Sequence, residues 1–147
     1  MVTALLYLSV GFLGMELASW LIHKYLMHGP LWNIHVTHHK RSKGFFELND
    51  IFSFIFGSVS VALIVYGSAD FSSPFWIGMG IATYGMVYFV IHDVLIHRRI
   101  KNKQKINNWY LKALYRAHLA HHKTIEKEDS ESFGLLLIHP KFFKNNK

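Results

Sequence analysis

The chain has 147 residues, of which 51% are hydrophobic and only 17% are charged, against about 25% charged residues in an average soluble domain. It contains no cysteine, which excludes disulfides, thiolate metal sites, iron–sulfur clusters and cysteine nucleophiles. The length predicts a single domain over residues 1–147, and a soluble secreted protein of this size is rarely so apolar. This apolar content and the eleven histidines make a histidine-built site in a membrane protein the first hypothesis, and the net charge of +7 suggests an acidic partner or surface.

Three stretches are long and apolar enough to cross a bilayer, which requires about 20 residues in a helix. The spans are predicted at residues 2–22, 51–69 and 74–96. The first is not typical of a signal peptide, because no basic segment precedes it and Trp20 stands where small residues would mark cleavage. A further helix at residues 109–122 has apolar residues at helical spacing and is expected along the membrane interface. The predicted fold class is therefore an all-α integral membrane protein with three transmembrane helices.

The charges predict an orientation for these spans. All sixteen Lys and Arg residues lie within residues 24–43 or 98–147, and Asp70 is the only charge in the connection between the second and third spans. The positive-inside rule then places the N-terminus outside, and residues 24–50 and the C-terminal third in the cytoplasm, of a bacterial inner membrane. A basic nucleic-acid-binding tail is the alternative, but these cations flank spans and lie among histidines, so no nucleic-acid partner is expected.

Small residues in the first and third spans predict that two membrane helices approach each other closely. Each of these residues could equally face lipid. The residues are Gly14, Ala18, Gly78, Gly80 and Gly85.

Ten histidines form one pattern that occurs twice, His-x4-His followed by His-x2-His-His. The first copy comprises His23, His28, His35, His38 and His39, and the second comprises His92, His97, His118, His121 and His122. The outer pair of each His-x2-His-His is spaced i,i+4 and shares a helix face. The i,i+5 spacing of His-x4-His instead places two rings about 140° apart on a regular helix. Either the helix changes geometry there, or the two rings address different sides of a binuclear site.

Both copies are expected at one membrane depth, because the first and third spans run in the same direction. Neutral imidazole suits iron, zinc, copper and nickel, and ten nitrogen ligands exceed the needs of one ion, so two metals are predicted. Zinc alone would favour hydrolysis, whereas iron with dioxygen suits oxidation of a hydrocarbon dissolved in the bilayer. A binuclear iron site on the cytoplasmic side is therefore predicted, and His139, outside the pattern, is interpreted as structural.

Four further strings accompany the histidine pattern: FELNDIF at residues 46–52, YGMVYFVIHDVLIHR at 84–98, YLKALYRAHLAHH at 110–122 and SFGL at 132–135. With these strings the chain resembles the membrane fatty acid hydroxylase superfamily and, within it, the bacterial β-carotene hydroxylases. The resemblance implies hydroxylation of carbons 3 and 3′ of β-ionone rings, from β-carotene through cryptoxanthin to zeaxanthin. It also implies that the ten histidines hold two iron ions, which use dioxygen and electrons from NAD(P)H through a ferredoxin-type partner.

Two carboxylates in the spans are candidates for roles around the metal site. Asp93 precedes His97 by four residues, and is predicted either to orient that ring or to pair with Arg98 or Arg99. Glu16 lies in the middle of its span, where ionisable residues are costly and often functional. We expect Glu16 to face the bundle interior, where it either polarises the substrate pocket or is a hydrogen-bonded packing residue. The aromatic residues that could line the substrate path, or form an interface belt, are Trp20, Tyr84, Tyr88 and Phe89.

Three other functions fit part of the pattern. The chain could hydroxylate fatty acyl or sterol chains, or it could be a carotenoid ketolase, although the Asp93 that follows His92 resembles the hydroxylases more. The third is a non-enzymatic metal transporter or sensor. Transporters usually hold their ligands near the middle of the membrane, whereas these histidines are expected at one side.

Overall fold

The computed structural model describes residues 1–40, 44–101, 105–128 and 130–144, and within these ranges the chain is helical, with no β-strand. The α-helices are α1 (Val2–Leu21), α2 (Trp32–His39), α3 (Asp50–Gly67), α4 (Ser73–Tyr88) and α5 (Trp109–His121). A short 3-10 helix, Pro140–Phe143, follows near the C-terminus. The predicted all-α fold class is therefore confirmed.

Among the residues that the structure describes, three helical stretches are long and apolar enough to cross a membrane, which confirms the prediction of three spans. They are Val2–Met27, Asp50–Gly67 and Ser73–Ile96. The first continues five residues past its predicted end at residue 22, because α1 runs on into a helical segment of different geometry. Their outward side chains include Leu13, which is 62% exposed, and Phe54, which is 75% exposed. Such surfaces suit lipid and would be unfavourable in water.

The bundle is built around α4, which packs against both α1 and α3. Glycines allow this close approach. A Cβ atom added at Gly80 would lie 2.2 Å from a backbone oxygen of α1, and one added at Gly78 would lie 2.8 Å from a backbone oxygen of α3. Of the two roles that the sequence left open, Gly78 and Gly80 take the packing role, whereas Gly14 and Gly85 are open, since an added Cβ would meet nothing within 4 Å there. Gly11, which the sequence did not single out, fills the packing role on α1.

α3 and α4 touch near one end and separate toward the other. Gly78 and Gly85 are seven residues apart, which is nearly two full turns, so they face almost the same direction. At Gly78 the backbone of α3 is in contact through Ser60, whereas at Gly85 the space is open. Gly57, one turn before Ser60, is open in the same way. The two helices therefore leave a wedge-shaped gap, flanked by Gly57 and Gly85, on the side of the bundle where the histidines lie.

Candidate metal centre

The last turns of the first and third spans are π-helical, over Ile22–Met27 and Phe89–Ile96. In a π-helix each N–H bonds to the carbonyl five residues earlier. The amide of His28 donates to the carbonyl of His23 at 3.0 Å, and that of His97 donates to His92 at 2.8 Å. Residues five apart therefore share one face of the helix. The sequence left open whether the helix changes geometry at His-x4-His or the two rings address different sides of a binuclear site. The structure shows the changed helix geometry.

Nine of the ten histidines of the pattern converge into two groups. In each group one nitrogen per ring lies within 4.8 Å of all the others. The first group is His23, His28, His35, His39 and His121, and the second is His38, His92, His97 and His118. The tenth ring, His122, lies between them, with its centroid 4.4 Å from that of His39 and 4.3 Å from that of His118. Its Nε2 atom is buried without a hydrogen-bond partner in the described part of the chain.

Each group takes one histidine from the other copy of the pattern. His38 is the middle histidine of the first His-x2-His-His but belongs to the second group, and His121 is the middle histidine of the second but belongs to the first. Helix geometry permits this exchange, because the middle histidine lies about 60° around the helix from one neighbour and about 100° from the other. Neither group can therefore form unless the histidine rings of α2 and α5 meet, as those of His39 and His121 do with centroids 4.9 Å apart.

Backbone carbonyls fix the orientation of most rings in the first group. The Nδ1 atoms of four of its histidines donate hydrogen bonds of 2.9–3.1 Å to carbonyl oxygens of the loop that follows α5. These oxygens belong to Thr124, Lys127, Glu131 and Phe133. The fifth, His35, donates from Nδ1 to the side-chain oxygen of Asn49 at 2.8 Å. A ring with its proton on Nδ1 presents the lone pair of Nε2 to the centre of the group.

Carboxylates take this role in the second group. Nδ1 of His38 donates to Glu47 at 2.9 Å, and Nδ1 of His92 donates to Asp93 at 2.8 Å. The Asp93 carboxylate thus orients its neighbour His92, whereas the sequence had indicated His97 as the ring that it would orient. A carboxylate partner makes an imidazole a more basic ligand than a carbonyl partner does, so the surroundings of the two groups differ in charge.

Arg99 joins the carboxylates around the second group. Its guanidinium donates to Asp50 at 2.8 Å and to Glu47 at 2.9 Å, and its Nε atom lies 3.6 Å from Asp93. The predicted pairing of Asp93 with an arginine is therefore present at Arg99. Burial raises the pKa of Glu47, and the Arg99 charge opposes that rise. The arginine thereby stabilises the carboxylates that orient the second group.

The histidine nitrogens are spaced as donor atoms around shared metal ions. The Nε2 atom of His35 lies 2.9 Å from that of His23 and 3.2 Å from that of His39, and the Nε2 atoms of His38 and His92 are 3.1 Å apart. Nitrogens bound to one ion at about 2.1 Å lie about 3 Å apart when bond angles are near 90°. Lone pairs this close repel unless a cation lies between them. The donor set therefore fits metal ions, and neutral imidazole suits iron among others.

Burial keeps these imidazoles neutral at physiological pH. Outside the spans, burial is the largest cause that lowers the pKa of His35 to about 3 and of His39 to about 4, and nearby imidazoles add to it. Burial likewise lowers the pKa of His97 to about 3, with the adjacent His92 as the next cause. The neutral ring is the form that binds metal.

We expect the metal-free protein to lose stability as the pH falls below 6.5. The unfolded chain takes up protons on its histidines near pH 6.5, whereas His35, His39 and His97 stay neutral in the fold until about pH 3–4. The unfolded state binds more protons in this window, so the free energy of unfolding decreases with falling pH. Thermal unfolding in detergent should show a midpoint that is constant above pH 7 and lower at pH 5. A midpoint equal at pH 7 and pH 5 would contradict buried neutral rings.

The two residues predicted outside the histidine pattern lie in different surroundings. Glu16 is inside the bundle, with 4% of its surface exposed, and its carboxylate accepts hydrogen bonds from the Tyr84 hydroxyl and from two backbone amides near residue 136. The sequence did not indicate these amides, because a backbone N–H leaves no residue-type signal. His139 caps the 3-10 helix, where its Nδ1 accepts a hydrogen bond from the amide of Lys141 at 3.2 Å.

A cavity of about 670 Å³ lies between α1, α3 and α4 and reaches the histidines of both groups. Its apolar lining includes Met15, Phe52, Phe56, Ile64 and Ile81. Its histidine lining comprises His23, His35, His38, His92 and His118. Three of the aromatic residues proposed for a substrate path, Tyr84, Tyr88 and Phe89, also line it. Trp20 instead packs edge-on against Tyr25, with ring centroids 6.2 Å apart.

Residues 8–143 match the family model described as fatty acid hydroxylase. The chain belongs to the fatty acid hydroxylase family. It is 42% identical over 135 residues to a β-carotene hydroxylase of Pantoea ananas, covering 92% of this chain and 77% of that protein. It is 40% identical over 131 residues to a β-carotene hydroxylase of Pseudescherichia vulneris, covering 89% of this chain and 74% of that protein. No solved structure matches the chain.

Plant proteins share the same region. The chain is 37% identical over 135 residues to the chloroplastic β-carotene 3-hydroxylase 2 of Arabidopsis thaliana, covering 88% of this chain and 44% of that longer protein. As a member of the fatty acid hydroxylase family, the chain is an enzyme, which removes the metal transporter from the alternatives. The histidine groups and the cavity together are therefore the candidate active site.

Proposed function

We propose that the chain is a membrane-bound di-iron β-carotene 3-hydroxylase, which converts β-carotene through cryptoxanthin to zeaxanthin with dioxygen. The observation that carries the proposal is the apolar cavity that ends on both histidine groups. The β-carotene hydroxylases of bacteria, at 32–42% identity over most of the chain, support the choice of substrate. A cavity of about 670 Å³ is within the usual range of small-molecule sites, about 300–1,000 Å³.

The length of a carotenoid explains why the metals would lie at one membrane surface. A C40 carotenoid is about as long as the hydrocarbon core is thick, about 30 Å. When it spans the bilayer, its ring lies near the interface, which is the depth at which the π-helical turns end the first and third spans. The wedge between α3 and α4 offers a lateral path from lipid to the cavity, because Gly57 and Gly85 both line the cavity and are exposed.

The residues of the chain would position the reaction in three ways. The ten histidines would hold a pair of iron ions, and bound iron would supply the activation of dioxygen. The carbonyl and carboxylate partners keep the Nε2 atoms turned toward the centres. The apolar lining excludes water and holds the β-ionone ring. At the inner end of the cavity the Tyr88 ring stacks on His92 with centroids 4.4 Å apart, and its hydroxyl lies 3.2 Å from Nε2 of that histidine. Tyr88 would thereby hold the His92 ring in place at the wall of the cavity.

We also propose that the histidine groups face the cytoplasm of a bacterial inner membrane. The distribution of the sixteen cations supports this orientation. Electrons from NAD(P)H would then arrive through a soluble ferredoxin-type partner. Three exposed lysines beside the histidine groups, Lys40, Lys123 and Lys127, would attract an acidic donor protein to this surface.

Expression of the chain in cells that accumulate β-carotene tests the proposal directly. Chromatography of the pigments should show cryptoxanthin and zeaxanthin, and the purified protein should contain iron. The His35→Ala variant is the matched negative control, because it removes one imidazole from the first group. Unchanged β-carotene in cells whose protein contains iron would refute the proposal. Ketone products would indicate the ketolase alternative, and hydroxylated lipids with unchanged β-carotene would indicate the fatty acyl or sterol alternative.

A further inference from the structure

A C-terminal segment without regular secondary structure enters the apolar part of the bundle. We name residues 132–137 the strap. Ser132, Phe133, Gly134 and Leu135 line the cavity, and Leu135 is 8% exposed in a cluster with Met15 of α1. The strap thus forms part of the wall that would contact the substrate, although its sequence is too short to cross a membrane by itself.

Irregular backbone inside a membrane protein requires partners for its polar groups, because no water is available there. For two backbone amides of the strap, the Glu16 carboxylate is the hydrogen-bond acceptor. Its Oε1 atom accepts hydrogen bonds from the amides of Leu136 and Leu137, both at 2.9 Å, and its Oε2 atom accepts one from the Tyr84 hydroxyl at 2.8 Å. All three partners donate to the carboxylate, which is the arrangement that stabilises a buried acceptor.

The strap is packed so tightly against this carboxylate that only glycine fits at one position. A Cβ atom added at Gly134 would lie 2.8 Å from the carbonyl oxygen of Leu137 and 3.2 Å from Oε1 of Glu16. From the other side, the hydroxyl of Tyr110 on α5 donates to the carbonyl of Leu136 at 2.5 Å. The strap is therefore held between α1 and α5.

The upstream end of the strap reaches the first histidine group. The carbonyl of Phe133 accepts the Nδ1 hydrogen of His23 at 2.9 Å, and the carbonyl of Glu131, one residue before the strap, accepts that of His121 at 3.0 Å. The Phe133 ring also packs edge-on against His23, His28 and His121, with centroids 5.2–5.5 Å apart. A displacement of the strap would therefore release two imidazoles of this group.

We propose that Glu16 is a positioning residue, which anchors the strap and thereby orients His23 and His121 and fixes one wall of the cavity. Glu16 is seven residues before His23, about 10 Å away along the helix axis, so it acts through the strap. The inference rests on the proposed function for the identity of the metal and the substrate. The contact between Glu16 and the strap can be tested without either of them.

Hydrogen exchange and cobalt titration of the purified full chain test this role. In Glu16→Ala the amides of Leu136 and Leu137 lose their acceptor, so their exchange should accelerate about tenfold or more. We expect the wild-type protein, stripped of metal, to bind two Co²⁺ ions tightly. In Glu16→Ala one of the two should bind about tenfold more weakly, while the other, in the second group, should keep its affinity. Glu16→Gln should keep the wild-type exchange rates and the wild-type affinity for both cobalt ions, because its amide oxygen still accepts from the two backbone N–H groups.

Two further variants make the test decisive. Gly134→Val displaces the strap without altering α1, so it should reproduce the Glu16→Ala effects and is informative even if Glu16→Ala fails to fold. Glu128→Ala removes an exposed carboxylate and should change neither measurement. Unchanged exchange at Leu136 and Leu137, or equal weakening of both cobalt ions, would overturn the proposal. A wild-type protein that binds two Co²⁺ ions but leaves β-carotene unchanged would refute the proposed function alone.

Discussion

Replacing His38 with alanine is expected to remove the metal ion of the second group and leave the first group occupied. His38 belongs by sequence to the first copy of the pattern, but its Nε2 atom lies with those of His92, His97 and His118. Loss of an outer-shell partner alone weakens metal binding by about 10–100-fold, so loss of a ligand should cost about 100-fold or more. Iron analysis should show a fall from about two ions per chain to about one, with pigment hydroxylation abolished.

Double substitutions identify which ion is lost. His38→Ala combined with His97→Ala should still retain one ion, because both residues belong to the second group and their effects overlap. His38→Ala combined with His28→Ala should retain none, because the two residues belong to different groups. If each copy of the pattern bound its own ion, the outcomes of the two double variants would be reversed. That reversal would contradict the exchanged arrangement of the histidines.

A phenylalanine at Gly85 is expected to block hydroxylation of β-carotene without affecting metal binding. Gly85 lines the cavity at the wedge between α3 and α4, and a Cβ atom there would meet nothing within 4 Å. The larger side chain can therefore occupy the gap without straining the helices. Since misplacing a substrate by about 1 Å can cost about 100-fold in rate, zeaxanthin formation should fall at least about tenfold. Pigment chromatography and iron analysis of the same cells measure both effects.

Gly14→Phe is the matched control for this variant. Gly14 is an exposed glycine in another span whose Cβ would also meet nothing within 4 Å, and it does not belong to the cavity lining. This variant should keep both zeaxanthin formation and iron content. Normal zeaxanthin formation by Gly85→Phe would show that the substrate does not pass through the wedge.

The sequence was sufficient to predict the spans and the histidines that converge. Spans can be predicted because a lipid bilayer requires a long apolar helix. The second span was predicted at residues 51–69, and the structure has it at Asp50–Gly67, a difference of one or two positions at each end. The convergence could be predicted because the spacing repeats, and because the first and third spans end at the same depth.

The assignment of histidines to groups could not be predicted from spacing. It depends on the π-helical turns at Ile22–Met27 and Phe89–Ile96, and on the histidine rings that meet between α2 and α5. The i,i+5 spacing is compatible with two helix geometries, and only the packed structure selects one. The partner of Asp93 could not be predicted either, because the i,i+4 spacing pointed to His97, whereas the carboxylate accepts a hydrogen bond from its sequence neighbour His92.

The roles of the strap and of the loop before it could not be predicted from their amino-acid types. They act on the first group through carbonyl oxygens, such as those of Thr124 and Phe133, and every residue has one. Glu16 alone suggested a role, since a carboxylate in a span needs an explanation. Its partners are backbone amides 120 and 121 positions further along the chain, a distance at which residue spacing carries no information.

The exchange of the middle histidines has a consequence for biosynthesis. His121 and His118 lie on α5, which the ribosome produces only after all three spans. A nascent chain that stops before α5 carries seven of the ten histidines but can complete neither group. The complete set of donor nitrogens, and the carbonyl oxygens after α5 that orient the first group, are therefore present only once the chain has been synthesised beyond its three spans.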